Sequence, residues 1–112
     1  MLTLEKLKEF GADTETGLSR CAGSEMLYLR LVGMAVQELS SPALSEALNA
    51  GDLERAFQAA HKLKGGVCNL SLTPIAGPIS ELTELLRNRT PGDYEALVST
   101  IRNETEKLKA LL

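Results

Sequence analysis

Apolar residues recur every three or four positions through most of this chain, the period of helices with one buried face rather than of strands. The clearest stripe is Leu53, Ala56, Ala60, Leu63, Val67 and Leu70. It predicts one unbroken helix from about Asp52, a good N-cap, to Leu70, although Gly65-Gly66 lies inside it. A second stripe, Tyr28, Leu31, Val32, Ala35 and Leu39, follows Ser24 and predicts a helix from Glu25 to about Leu39. Ser41-Pro42 restarts a helix that ends near Ala50-Gly51, with Ser as cap and Pro in the first turn. Towards the C-terminus, Ile79, Leu82, Leu85 and Leu86 mark an inward face. Gly77-Pro78 places the start of that helix at about Pro78, after a turn, because proline interrupts a helix begun upstream. Thr90-Pro91-Gly92 marks a loop over Asn88 to Asp93. The last helix runs from Asp93 towards Leu112 with Tyr94, Leu97, Val98, Ile101 and Leu108 inward, and Thr105 interrupts its stripe. Two short helices precede all of these, Thr3 to Phe10 and Thr14 to Arg20. Long helices joined by short loops predict an all-α fold, an antiparallel four-helix bundle with short additional N-terminal helices.

Composition agrees with that pattern and narrows the function. The 112 residues fit a single domain, 1–112. Hydrophobic residues make up 44% but aromatics only 4%, with no Trp, so the core must come from Leu, Val, Ile and Ala packed closely between helices. A net charge of −3 argues against a nucleic-acid surface. Cys21 and Cys68 share no metal-ligand or redox spacing. Charged residues at Glu5, Lys6, Lys8 and Glu9 break any leader-like apolar run, and no apolar run approaches the roughly 20 residues that span a bilayer. The expectation is a soluble, cytoplasmic protein with free thiols and no membrane association.

The segment that carries chemistry is Ala60-His61-Lys62-Leu63-Lys64-Gly65-Gly66. At about 100° per residue, His61 falls on the border of the core stripe. Lys64 and Gly65, at i+3 and i+4, flank it on the same face, whereas Lys62 points away. A neutral imidazole is a competent nucleophile near neutral pH. A phosphoryl group arriving there carries negative charge that Lys64 can offset, and Gly65 leaves room for it. A glycine inside a helix costs about 1 kcal/mol relative to alanine. Two together in the best helix call for close approach by another molecule or helix, and for Gly66 tight helix packing is the expected reason. Tyr28 and Phe57 are expected in the core. Phe57, one turn before His61, is also placed to extend an apolar docking surface. No further ligands share the face of His61 and Cys68, so a metal site is not expected, and Cys68 reads as a small, half-buried residue.

His61-Lys62-Leu63-Lys64-Gly65 resembles the His-x-Leu-Lys-Gly hallmark of the histidine-phosphotransfer (HPt) family. Gly51-Asp52 with Leu53 and Ala60 also matches. So does an N-terminal signature of Gly11, Asp13, Gly17-Leu18, Arg20, Gly23 and Leu27-Tyr28. The resemblance implies a four-helix bundle with an exposed histidine midway along one helix. It implies His61 as phosphoacceptor, Lys64 as support for the phosphoryl group and Gly65 as the residue that keeps access open. The partners implied are response-regulator receiver domains and a hybrid histidine kinase, with this chain a monomer. The divalent metal, Mg²⁺, belongs to the receiver, so no cofactor or metal of this chain's own is expected. Three departures stand out. Ser71 occupies a position, ten residues after the histidine, where the family often has Gly. Thr83 stands where a Glu or Gln often orients the imidazole. Gly77-Pro78 bends the start of the next helix.

The function implied is that of a phosphorelay carrier, accepting a phosphoryl group on His61 from a receiver aspartate and passing it to another receiver, without an ATP site or kinase activity. The alternative is a degenerate, non-catalytic adaptor that binds receivers without being phosphorylated. The dimerisation domain of a histidine kinase fits poorly, because Lys62 follows the histidine where such domains usually have an acidic residue. A hydrolase fits least, because no second base or nucleophile is arranged around His61.

Overall fold

The computed structural model describes residues 1–90 and 92–112. Its helices are α1 (Leu4–Phe10), α2 (Thr14–Arg20), α3 (Glu25–Leu39), α4 (Ala43–Asn49), α5 (Leu53–Asn69), α6 (Thr73–Arg87) and α7 (Tyr94–Lys109), and no strand occurs among the described residues. The four long helices close a ring: α5 packs on α6, α6 on α7, and α3 on both α5 and α7. Short connections reverse the chain between α5, α6 and α7, giving the expected bundle, with α4 laid against α5.

Local chemistry sets the helix starts. The side chains of Thr3, Asp13, Ser24, Asp52 and Asp93 each accept a hydrogen bond from the backbone N–H three residues on, at 3.0–3.2 Å, satisfying donors that a helix's first turn leaves free. Ser41 Oγ accepts from Ala43 N at 3.3 Å at the start of α4. The stripes then meet inside. Tyr28, Val32, Ala56, Ala60, Val67, Ile79, Leu82 and Leu108 are buried, while Leu31, Leu39, Leu53, Leu63 and Leu97 form a half-buried rim.

Two expectations are corrected. The main helix after α5 starts at Thr73, not Pro78, and runs through Gly77-Pro78. Gly77 has no Cβ to collide with the ring of Pro78, so the residue before this proline can stay helical. Burial of Leu72, Ile75 and Ile79 offsets the one backbone bond that Pro78 cannot donate. Thr105 does not break the stripe of α7 but faces inward, buried, its hydroxyl donating to the Ile101 carbonyl at 2.7 Å. The connection expected over Asn88 to Asp93 separates α6 from α7, and Pro91 within it lies outside the described residues.

Candidate functional site

Helix α5 carries the candidate histidine, and its two ends are fixed in different ways. Asp52 caps the first turn. At the other end, Leu72 N donates to Val67 O and Ser71 N to Cys68 O, both at 3.1 Å. This is a Schellman closure, in which Ser71 takes the left-handed position at φ 55°. That conformation favours glycine, which gives physical content to the departure at Ser71.

The N-terminal signature residues meet this same end. Arg20 Nη1 donates to Cys68 O at 2.7 Å, Tyr28 Oη to Leu70 O at 2.9 Å, and Asp13 N to Ser71 O at 3.0 Å. Arginine at a helix C-terminus also opposes the negative end of the helix dipole. Gly17 lets the Tyr28 ring lie against α2, since a Cβ there would fall 2.4 Å from Cζ. Hydrogen bonds from the Thr16 hydroxyl and backbone N–H hold the Asp13 carboxyl below its ordinary value, and Arg20 adds to this. Burial pushes the Tyr28 hydroxyl upward, with Cys21 and Asp13 contributing.

His61 sits midway along α5 and is exposed, further into solvent than the stripe border implied. Its imidazole stacks on the ring of Phe57, one turn earlier, with centroids 5.6 Å apart and planes 18° from parallel. The Arg87 guanidinium, from α6, lies 5.2 Å from the Phe57 ring centre, and Arg87 Nε pairs with Glu84 at 3.2 Å. Lys64 is half-buried on the same side of α5 as His61. It takes part in none of the ion pairs formed among the described residues, which join Arg87 to Glu84, Arg89 to Glu54 and Lys107 to Glu104. Lys62 is exposed. Around Gly65 an added Cβ meets nothing within 4 Å, and the same holds for Gly66. Both are exposed, so the expectation that Gly66 serves tight helix packing is corrected: among the described residues nothing lies within 4 Å of a Cβ placed there.

Phe57 is half-buried rather than a core residue, whereas Tyr28 is fully buried. Cys68 is half-buried beside Ser80, Sγ to Oγ 3.8 Å, and Cys21 is buried; both thiols are free. Thr83 is fully buried, and its hydroxyl donates to Ile79 O at 2.6 Å. No hydrogen bond among the described residues joins it to His61. Among the described residues the imidazole has no hydrogen-bond partner, and its neighbour is the Phe57 ring. The Phe57 half of this arrangement was readable from the i−4 spacing. Arg87 was not, because it comes from another helix. No group of three or more His, Cys, Asp or Glu side chains that could hold a metal occurs among the described residues.

A family model, that of the Hpt domain, matches residues 41–111, more than half of the chain. The match spans α4 to α7 and leaves the N-terminal signature outside it. No curated protein and no solved structure matches the chain. No helix among the described residues is long and apolar enough to cross a membrane. With the matched span covering the all-helical α4–α7 unit and containing the His-x-Leu-Lys-Gly segment, the chain belongs to the Hpt domain family, the phosphocarrier domains of phosphorelays.

Proposed function

We propose that this protein is a phosphorelay carrier in which His61 takes a phosphoryl group from the aspartyl phosphate of one receiver domain and delivers it to the aspartate of another. A single observation carries this: an exposed imidazole stands beside a stretch of helix with no side chain at Gly65, and nothing among the described residues fills that space. Two glycines in the interior of α5 cost about 1 kcal/mol each relative to alanine. With nothing among the described residues against Gly65, on the side of His61, an approaching partner is the reason for that glycine.

In the transfer, an imidazole nitrogen lone pair attacks phosphorus in line with the leaving carboxylate. The N–P bond forms as the P–O bond to the receiver aspartate breaks, and its electron pair stays on that carboxylate. The proton on the other imidazole nitrogen can leave to solvent. The reverse sequence loads the second receiver. Little covalent work falls to this chain, whose share is positioning and charge. Lys64, not engaged in an ion pair, supplies a cation for the phosphoryl oxygens. The divalent ion, Mg²⁺, belongs to the receiver's side of the interface.

The second reading, an adaptor that binds receivers without being phosphorylated, is favoured by one observation: the Thr83 hydroxyl is committed to Ile79, so the imidazole lacks the polar support common in the family. Chemistry at His61 separates the two. His61 is the only histidine, so incubation with a phosphorylated receiver and Mg²⁺ should give one acid-labile phosphate by intact mass and phosphorus NMR, absent in His61→Gln. A folded wild-type protein that binds receivers but acquires no label would establish the adaptor instead.

A further inference from the structure

We propose that Phe57 and Arg87 are positioning residues for His61: the Phe57 ring sets the plane of the imidazole, and Arg87 holds that ring in place. This rests on the carrier reading above and names what orients its nucleophile. A histidine side chain on an exposed helix face turns freely about its last torsion, which is broad and roughly two-fold. The lone pair that must attack phosphorus lies in the plane of the ring, so the orientation of that plane decides whether the attack is in line. In this chain no hydrogen bond among the described residues fixes the plane, and the Thr83 hydroxyl is spent on Ile79. The ring of Phe57, its centre 5.6 Å away and its plane 18° from parallel, does so by stacking. The ring thereby restricts the planes that the in-plane nitrogens can take.

Phe57 is held in turn. It is half-buried against the core, and the Arg87 guanidinium lies 5.2 Å from its centre, within the range of a cation–π contact. Glu84 anchors that guanidinium through Nε at 3.2 Å. The chain Glu84–Arg87–Phe57–His61 thus links the face of α6 to the nucleophile on α5 without a polar contact to the imidazole. Stacking selects the plane and leaves open which nitrogen is phosphorylated.

The test compares the full chain with Phe57→Leu, which keeps an apolar contact but removes the ring, Phe57→Tyr, which restores a ring, and Arg87→Gln. Folding is followed by thermal melts. The ring-proton NMR signals of the single histidine report the stack, because an aromatic face shifts them upfield. Transfer is measured as the first-order rate at saturating phosphorylated receiver, separately from receiver affinity. For Phe57→Leu the His61 signals should move downfield and the transfer rate fall about tenfold, the scale of a misaligned reactant pair, with affinity changed less than about twofold. Phe57→Tyr should recover both signals and rate, and Arg87→Gln should fall between. A Phe57→Leu protein that folds and transfers at the wild-type rate overturns the proposal, as does one whose His61 signals do not move. A wild type that no receiver labels overturns the carrier reading and any role in transfer, while the ring-proton shift still decides whether Phe57 orients the imidazole.

Discussion

Replacing Gly65 by alanine should make the protein more stable and a poorer partner at once. An added Cβ at Gly65 meets nothing within 4 Å, and the position lies inside α5, four residues before its end. The folded state therefore gains the full helix preference of alanine over glycine, about 0.8–1 kcal/mol, with no clash to subtract. For a chain of this size that raises the melting temperature by roughly 4 °C. Gly66→Ala has the same open surroundings and should stabilise equally. Function separates the two. At about 100° per residue, Gly65 lies about 40° round the helix from His61 and Gly66 about 140°. Only the first methyl faces an incoming receiver. Urea and thermal melts followed by circular dichroism give the stability, and titration with a receiver gives the affinity. Gly65→Ala should weaken docking severalfold and Gly65→Met more severely, while Gly66→Ala leaves docking unchanged. A destabilised Gly65→Ala would mean that the gap is filled in the fold. A Gly65→Met protein that binds receivers normally would remove the steric argument for the site altogether.

Three further outcomes follow from the brace at the end of α5. Gly17→Ala would place a Cβ 2.4–2.6 Å from Tyr28 ring and hydroxyl atoms. That ring is fully buried and tied to Leu70 O, so overpacking should cost about 2–3 kcal/mol in urea unfolding despite alanine's better helix propensity. Ser71→Gly relieves a left-handed φ of 55° and should stabilise by up to about 1 kcal/mol; an unchanged or lower urea midpoint would show that Ser71 carries no strain. The Asp13 carboxyl titrates below its ordinary value of 3.8 in the folded protein. Its ionised form therefore stabilises the fold above that pH, and the contribution is lost as pH falls through the lower folded value. The gap between wild type and Asp13→Asn should narrow on acidification, and a gap independent of pH would count against the cap.

Helix positions were legible wherever a cap preceded a stripe. Ser24 and Asp52 each announce the helix that follows, because a side-chain oxygen must meet the first-turn donors whatever the tertiary fold. The start of α6 was not, since the rule that proline interrupts a helix ignores what stands before it. Gly77 removes the steric conflict, and burial of Ile75 and Ile79 supplies the gain that propensity alone does not contain. At the site, the grouping of His61, Lys64 and Gly65 on one side follows from helical spacing within a single element. The partner of the Thr83 hydroxyl and the place of Arg87 over Phe57 depend on how α6 is rotated against α5, which periodicity does not specify. The open surroundings of Gly66 are hidden from the sequence for the same reason: spacing gives its direction but not whether another helix lies there.

The N-terminal signature gains its meaning from the cost of the two glycines. Gly65 and Gly66 stand within the last five residues of α5, where a helix frays most easily, and together they weaken it by about 2 kcal/mol. Hydrogen bonds from Arg20, Tyr28 and the Asp13 backbone close on Cys68, Leu70 and Ser71 just beyond them. A net contribution of about 1 kcal/mol for each such bond is of the size needed to offset that loss. Their donors come from a segment that the family match does not reach, yet they act on the helix that holds His61. A surface can be left without side chains for a partner only if the backbone beneath it is held from elsewhere. In this chain α2 and the start of α3 do that work, so the open face beside His61 remains part of a continuous helix up to Asn69.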